Sequence, residues 1–301
     1  MTRSVGLAHI VRHEDGTATG VWGPFILKSA FQPIFAFGDG RLTATAYEGL
    51  ARPFRDGEPM APGQFFKSVP PTDRMHVETL TRTLHLLNAG RFLDPKASVF
   101  VNFDPSLFPE RSLTDAAVRD MRLVLHEAGI GAERVVCEVT EQKSPSEAIL
   151  FGFVEALRGH GFRIAVDDYG AAASDIHRIE RLQPDIVKFD AQWITQLMRS
   201  GPGYALLAAM VRTFRDRGID TVFEGIEEGW QLELAEKCGA SMVQGFVLAR
   251  PELAPTSFTS FTRAAAQRPA AEGETQPQPD AAPADAQRAA KPAKAFGKRG
   301  V

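Results

Sequence analysis

Short apolar runs, each closed by a polar residue, recur along this chain with amphipathic segments between them. Phe25–Phe37 (FILKSAFQPIFAF) is rich in aromatic and branched residues and predicts a strand. Gly38-Asp39-Gly40 predicts a turn and Leu42–Leu50 a second strand, so the pair predicts an antiparallel hairpin. Pro53–Gly63 holds three prolines and two glycines and reads as a loop. Further strands are predicted at Ser98–Phe103, Arg134–Val139, from Arg163 onward, and at Asp185–Phe189, Asp220–Glu224 and Ser241–Val243. Helices fall between them at Gln64–Val69, Thr72–Ala89, Leu113–Ala128, Ser144–Arg158, Ser174–Leu182, Tyr204–Arg217 and Glu228–Lys237. In the third of these, Leu113, Ala117, Met121, Val124 and Ala128 share one face. The fourth opens on Ser144-Pro145-Ser146-Glu147, a hydroxyl cap with a first-turn proline and a glutamate three residues on.

Strands alternating with helices predict parallel βα units. Counting both hairpin strands there are eight. The predicted fold is α/β: a modified (β/α)8 TIM-like barrel with an antiparallel first strand. An open doubly wound sheet is the alternative, and no phosphate-cradling glycine motif supports it. Residues 1–23 show no strong period and read as an N-terminal extension. Residues 24–262 read as the folded domain. Residues 263–301 are mostly Ala, Pro, Gln, Glu and Asp, too polar to bury a core, and read as a disordered tail ending in a basic cluster.

Composition narrows the class. Of 301 residues, 44% are hydrophobic and 24% charged, as in a soluble globular protein. A net charge of -3 argues against general affinity for DNA or anionic membrane. The longest apolar run, Tyr204–Val211, is far short of the roughly 20 residues of a membrane span. The N-terminus lacks the apolar core of a signal peptide. Cys137 and Cys238 stand far apart in apolar surroundings and read as buried free thiols, which fits a cytoplasmic setting.

The residues that end the apolar runs carry the candidate chemistry. Glu48, Asn102, Glu138, Asp167 with Asp168, Lys188, Glu224 and Gln244 each close a predicted strand. In a barrel all of them converge at the C-terminal mouth, where such folds carry their chemistry. Singly, each reads as an ordinary polar strand end. Together they bring five carboxylates to one rim, where mutual repulsion raises each pKa unless cations intervene. No Cys or His joins them, so the donors are hard oxygens suited to Mg2+ or Mn2+. Two such ions about 3.5–4 Å apart clamp a phosphodiester and activate water. Lys188 then either orients or deprotonates that water or neutralises developing charge; its plainer role is an ion pair with Asp167 or Asp168.

From about Phe25 to Pro251 the chain resembles the EAL domain family, bacterial phosphodiesterases of cyclic di-GMP. The resemblance rests on seven motifs in order. They are Tyr47-Glu48-Gly49-Leu50 with Arg52, Asn102-Phe103-Asp104-Pro105, Glu138-Val139-Thr140-Glu141, Asp167-Asp168-Tyr169-Gly170, Pro184–Asp190 with Lys188, Glu224-Gly225-Ile226-Glu227, and Gln244-Gly245-Phe246 followed by Pro251. The resemblance implies a usually dimeric barrel that opens cyclic di-GMP to linear pGpG. It implies that Glu48, Asn102, Glu138 and Asp167 hold one metal and Asp168 a second, with Asp167 bridging and Glu224 assisting. Lys188, with Glu224 and Glu48, forms the implied catalytic set. Gln32 and Arg52 match positions that contact the dinucleotide, and Gln244 lies near the centre. Glu141 is expected to anchor the loop after Asp168, and Glu227 to support it. Two departures stand out. Gly49 replaces the family's alanine, with little effect expected, and Gly170-Ala171-Ala172-Ala173-Ser174-Asp175 replaces Gly-Thr-Gly-Tyr-Ser-Ser. The altered loop motivates an alternative, a cyclic di-GMP receptor or protein-interaction module of little activity; a regulatory protein partner is a further expectation.

Overall fold

Two short strands, β1 (Ile10–Arg12) and β2 (Ala18–Trp22), pair antiparallel and lead into the long hairpin of β3 (Phe25–Gly38) and β4 (Arg41–Arg55). The computed structural model describes residues 6–38, 40–140, 147–171 and 176–258. After β5 (Glu58–Pro59) come α1 (Pro62–Ser68), α2 (Arg74–Phe92), β6 (Ser98–Phe103), α3 (Arg111–Ala128) and β7 (Val135–Thr140). Then follow α4 (Glu147–Gly159), β8 (Arg163–Tyr169), α5 (Ile176–Leu182), β9 (Ile186–Phe189), α6 (Ala191–Met198) and α7 (Gly201–Arg215). The described chain closes with β10 (Asp220–Phe223), α8 (Gly229–Cys238), β11 (Met242–Val243) and β12 (Glu252–Leu253).

Eight of these strands close a barrel in the order β3-β4-β6-β7-β8-β9-β10-β11 and back to β3. The pairings from β4 round to β11 are parallel, whereas β3 is antiparallel to both β4 and β11. The expected barrel with a reversed first strand is therefore present. The main apolar core lies between the barrel and its helices. It includes Val99, Val101, Val139, Ile164, Val166 and Val187 from the strands and Leu84, Val124, Leu157 and Leu207 from the helices. No helix among the described residues is long and apolar enough to cross a membrane. Cys137 and Cys238 are buried and free.

Three differences from the sequence expectations have physical causes. Residues 10–22 form a hairpin, although their pattern looked featureless. The buried side of β2 is made of small residues, Ala18 and Gly20, which leave no bulky alternation to read. Part of the expected loop after Pro53 is strand, because β4 runs on to Arg55 and turns at Asp56-Gly57 into β5. Helix α6 was not anticipated. Its marker is Asp190, whose carboxylate caps it by accepting from the Trp193 N–H at 2.8 Å. The expected cap at Ser144-Pro145-Ser146, the residues Ala172–Asp175, and the tail from 259 onward lie outside the described residues.

Candidate active site

Strands present alternate residues to the inside of a barrel. One interior layer is apolar and takes one residue from each of the eight barrel strands: Ile34, Ala46, Phe100, Val136, Ala165, Ile186, Val222 and Met242. Two residues further along each parallel strand stands a polar one: Glu48, Asn102, Glu138, Asp167, Lys188, Glu224 and Gln244. β3 runs the other way, so its counterpart stands two residues before Ile34, at Gln32. Period two thus stacks a polar layer on an apolar floor. Across the ladders Asn102 pairs with Glu138, and Gln32 with Glu48.

Lys188 is the hub of that layer. Its Nζ lies 2.5 Å from Glu138 Oε1, 2.7 Å from Glu224 Oε1, 3.2 Å from Asp167 Oδ1 and 3.6 Å from Glu48 Oε2. Gln244 Nε2 donates to Glu48 Oε2 at 2.9 Å. Lys188 is 1% exposed, and burial by itself pushes its pKa down. Asp167, Glu138, Glu224 and Glu48 outweigh burial and hold the ammonium well above its usual range. The carboxyls feel the reverse. Burial, opposed by Lys188 and reinforced by Glu48 and Asp167, raises Glu138 well above the carboxylate range. Burial, opposed by Lys188 and reinforced by Asp167 and Glu48, pushes Glu224 up to about 8.

One lysine does not satisfy these acids. Lys188 lies against Glu138 Oε1, and no described group hydrogen-bonds Glu138 Oε2. A buried carboxylate oxygen without a donor is the environment that a bound cation completes. Beside it, Asp167, Asp168 and Glu224 each offer an oxygen, all within 4.8 Å of one another. Adjacent strand residues ordinarily point to opposite faces. Here the β8–β9 ladder shifts register between Val166 and Tyr169, and Asp168 takes a left-handed φ of 57°. That bulge brings both aspartates to one cluster. The donor set is all oxygen, so the residues fit a hard divalent cation.

The remaining expected residues are placed as follows. Asn102 is exposed at the rim, and its backbone carbonyl accepts from Arg82 Nη1 at 3.4 Å. Gln32 Nε2 donates to the Ala249 carbonyl at 3.3 Å. Arg52 donates to its neighbour's carbonyl, Ala51 O, at 3.0 Å. Glu227 is exposed, and its N–H donates to Gln231 Oε1 at 2.8 Å. Glu141 lies outside the described residues. A cavity of about 510 Å³ opens beside Asn102 and Arg52, and its wall includes Lys67, Arg74, Glu78 and Arg82. None of those four was singled out from the sequence. Arg82 is 5% exposed, with its guanidinium 4.0 Å from the Phe103 ring centroid. The available clue was a lone guanidinium within Leu80–Ala89, a stretch with no other Asp, Glu, Lys or Arg.

The fold and this mouth define a (β/α)8-like barrel protein with a carboxylate-rich polar layer at the strand ends. Residues 26–251 match the model of the EAL domain, and the chain belongs to the EAL domain family. It is 27% identical over 211 residues to the Escherichia coli protein named probable cyclic di-GMP phosphodiesterase PdeA, covering 68% of this chain and 28% of that protein. Among solved structures, Klebsiella pneumoniae BlrP1 in a manganese and cyclic di-GMP complex matches with a TM-score of 0.66 at 29% identity, over 77% of this chain and 57% of that one. Bacillus subtilis YkuI, in complex with its substrate cyclic di-GMP and calcium, matches with a TM-score of 0.66 at 26% identity, over 75% of this chain and 56% of that one. The chain therefore spans less than two thirds of the length of each.

Proposed function

We propose that this chain hydrolyses cyclic di-GMP to linear pGpG in a two-cation site of Mg2+ or Mn2+, with residues 24–262 as the phosphodiesterase domain. The carrying observation is the polar layer, in which four carboxylates surround one buried lysine while Glu138 Oε2 has no donor among the described residues. The relatives' names and complexes support the choice of substrate.

In this reading Glu48, Asn102, Glu138, Asp167, Asp168 and Glu224 hold the cations. When bound, the cations polarise the phosphodiester and lower the pKa of water. Hydrolysis adds hydroxide to phosphorus and breaks the P–O3′ bond, and a proton ends on O3′. Without cations the four carboxylates hold the Lys188 ammonium well above its usual range, and from that position Lys188 orients the attacking water or neutralises charge developing on the phosphate oxygens. Gln244 fixes the carboxylate of Glu48. Gln32 and Arg52 bind the dinucleotide, and Glu141 and Glu227 support the loop after Asp168. The setting is cytoplasmic, consistent with two buried free thiols, and the assembly is a homodimer.

Chromatography of cyclic di-GMP incubated with the protein and Mn2+ or Mg2+, beside a Glu48→Ala control, tests the reading. Linear pGpG from the wild type alone is the expected result. Tight binding without product under either ion would make the chain a receptor.

A further inference from the structure

The two residues of β4 that matter most to the site, Glu48 and Arg52, flank a glycine. Side chains alternate along a strand, so with Glu48 in the barrel, position 49 faces outward toward α2. A Cβ at Gly49 would lie 2.8 Å from His85 Cγ and 3.0 Å from its Cβ and Cδ2. The imidazole of α2 therefore occupies the space that a side chain at 49 would need, so the exchange of alanine for Gly49 is not the neutral one expected from the sequence. His85 is 4% exposed and shares with Gly49 and Arg52 the wall of the cavity beside the polar layer.

The ring is itself held from behind. Ser29 Oγ of β3 lies 2.8 Å from His85 Nδ1. Asn88, one turn further along α2, donates from Nδ2 to Ser29 Oγ at 3.1 Å. The same amide donates to the Ala18 carbonyl at 3.0 Å and accepts the Ala18 N–H at 2.9 Å. Ala18 belongs to β2, so the chain of contacts begins in the N-terminal hairpin and ends under Glu48. Every member is buried: Ala18 is 4%, Ser29 2% and Asn88 1% exposed. Burial, then Arg52 and Arg82, push the His85 pKa down to about 3, so the ring stays neutral and its contacts do not change with physiological pH.

We infer that His85, seated in the notch of Gly49, is a positioning residue for Glu48 and Arg52, and that the N-terminal hairpin holds it there through Asn88 and Ser29. Residues 10–22 are in this view part of the working site rather than an appendage. A neutral ring clamped on both sides sets the distance between α2 and β4. A shift of a few tenths of an ångström there moves a proposed cation ligand and a proposed substrate ligand together. Misplacement of that order is enough to alter affinity and rate strongly. The inference rests on the reading of Glu48 as a cation ligand and Arg52 as a substrate ligand.

The test uses the full chain with Gly49→Ala, His85→Ala, the double variant and Asn88→Ala. Four quantities are read: the Kd for Mn2+ alone by calorimetry, kcat and KM for cyclic di-GMP, and Tm. Gly49→Ala is expected to weaken Mn2+ binding and raise KM by about tenfold each, and the double variant to recover most of that loss. Asn88→Ala, which touches neither proposed ligand, is expected to raise KM several-fold with a smaller change in kcat. A purely structural role would lower Tm and leave Kd and KM of the folded protein alone. Wild-type Kd and KM in Gly49→Ala, or a double variant as impaired as the single, would overturn the inference. If Gly49→Ala does not fold, His85→Ala, Asn88→Ala and the variant carrying both decide: non-additive rises in KM support one path, and additive or absent effects overturn it. A wild type that binds Mn2+ but leaves cyclic di-GMP intact would sink the phosphodiesterase reading, and the Mn2+ arm would still decide this one.

Discussion

Lys188 neutralises more charge than any other side chain in the barrel, and its removal has a calculable consequence. In Lys188→Met, Glu48, Glu138, Asp167 and Glu224 lose their shared counter-charge in a buried site. Hydrolysis is expected to fall by about 10²–10⁴-fold, the usual range for a group acting on the reacting proton or charge. The metal-free protein is expected to lose on the order of 3 kcal/mol, because carboxylates are left buried without a partner. Product assays and urea unfolding check the two arms. The acids also set a pH dependence. Glu224 is held near 8 by burial, so at pH 7 the metal-free site carries a proton that an incoming cation displaces. Cation affinity is therefore expected to rise from pH 6 to about 8 and then flatten. Calorimetry in buffers of different ionisation enthalpy should show proton release at pH 7; none would contradict the raised Glu224. Much of this residue layer was legible in the sequence, because each polar residue sits two positions past an apolar one at a strand end. Arg82 and His85 were not. They are polar residues in a stretch of α2 that is buried on every side, and only packing reveals that Gly49 and Phe103 receive them.

Between β8 and α6 the geometry depends on close approach. Gly170 has a φ of 97°, and a Cβ there would lie 2.3 Å from Trp193 Cδ2. Trp193 stacks on Phe189 with ring centroids 5.8 Å apart, and Tyr169 and Phe214 pack edge-on around them. This aromatic group underpins the ends of the two strands that carry Asp167, Asp168 and Lys188. Gly170→Ala is expected to cost about 1–3 kcal/mol through both strain and overlap, with a matching fall in Tm. Asp190→Ala, which removes the α6 cap, is expected to cost about 1 kcal/mol. Strand positions were readable because apolar runs ending in charge are short and distinct. Helix α6 was not, since eight residues give barely two turns of period, and the hairpin at 10–22 hides behind alanine and glycine.

For the molecule as a whole, protonation of the polar layer and cation binding act on stability in opposite directions with pH. Glu224 in the folded, metal-free chain has a pKa raised above its unfolded value of 4.5 to about 8. Its contribution to stability is thus full below about 4.5 and is lost as pH rises through 8. With chelator present, Tm is expected to fall between pH 5 and 8.5. Mn2+ at about 100 times its Kd should restore about 2.7 kcal/mol at pH 8.5, read as a Tm rise that chelator reverses. A Tm indifferent to both pH and Mn2+ would show that the layer is not a cation site.

The seam of the barrel has a further consequence, in time rather than in space. Between β11 and β3 the ladder consists of only two residue pairs, Met242 with Ala36 and Val243 with Phe35, about 200 residues apart in sequence. Every other barrel pairing joins strands that follow one another among the eight barrel strands, so its loop-closure entropy is smaller. The seam is expected to zip last on refolding and to open first in native-state hydrogen exchange. Gln244 follows directly on Val243 and reaches Glu48. The final step of folding would therefore also be the step that completes the mouth, leaving a nearly finished barrel inert until its last two pairs lock.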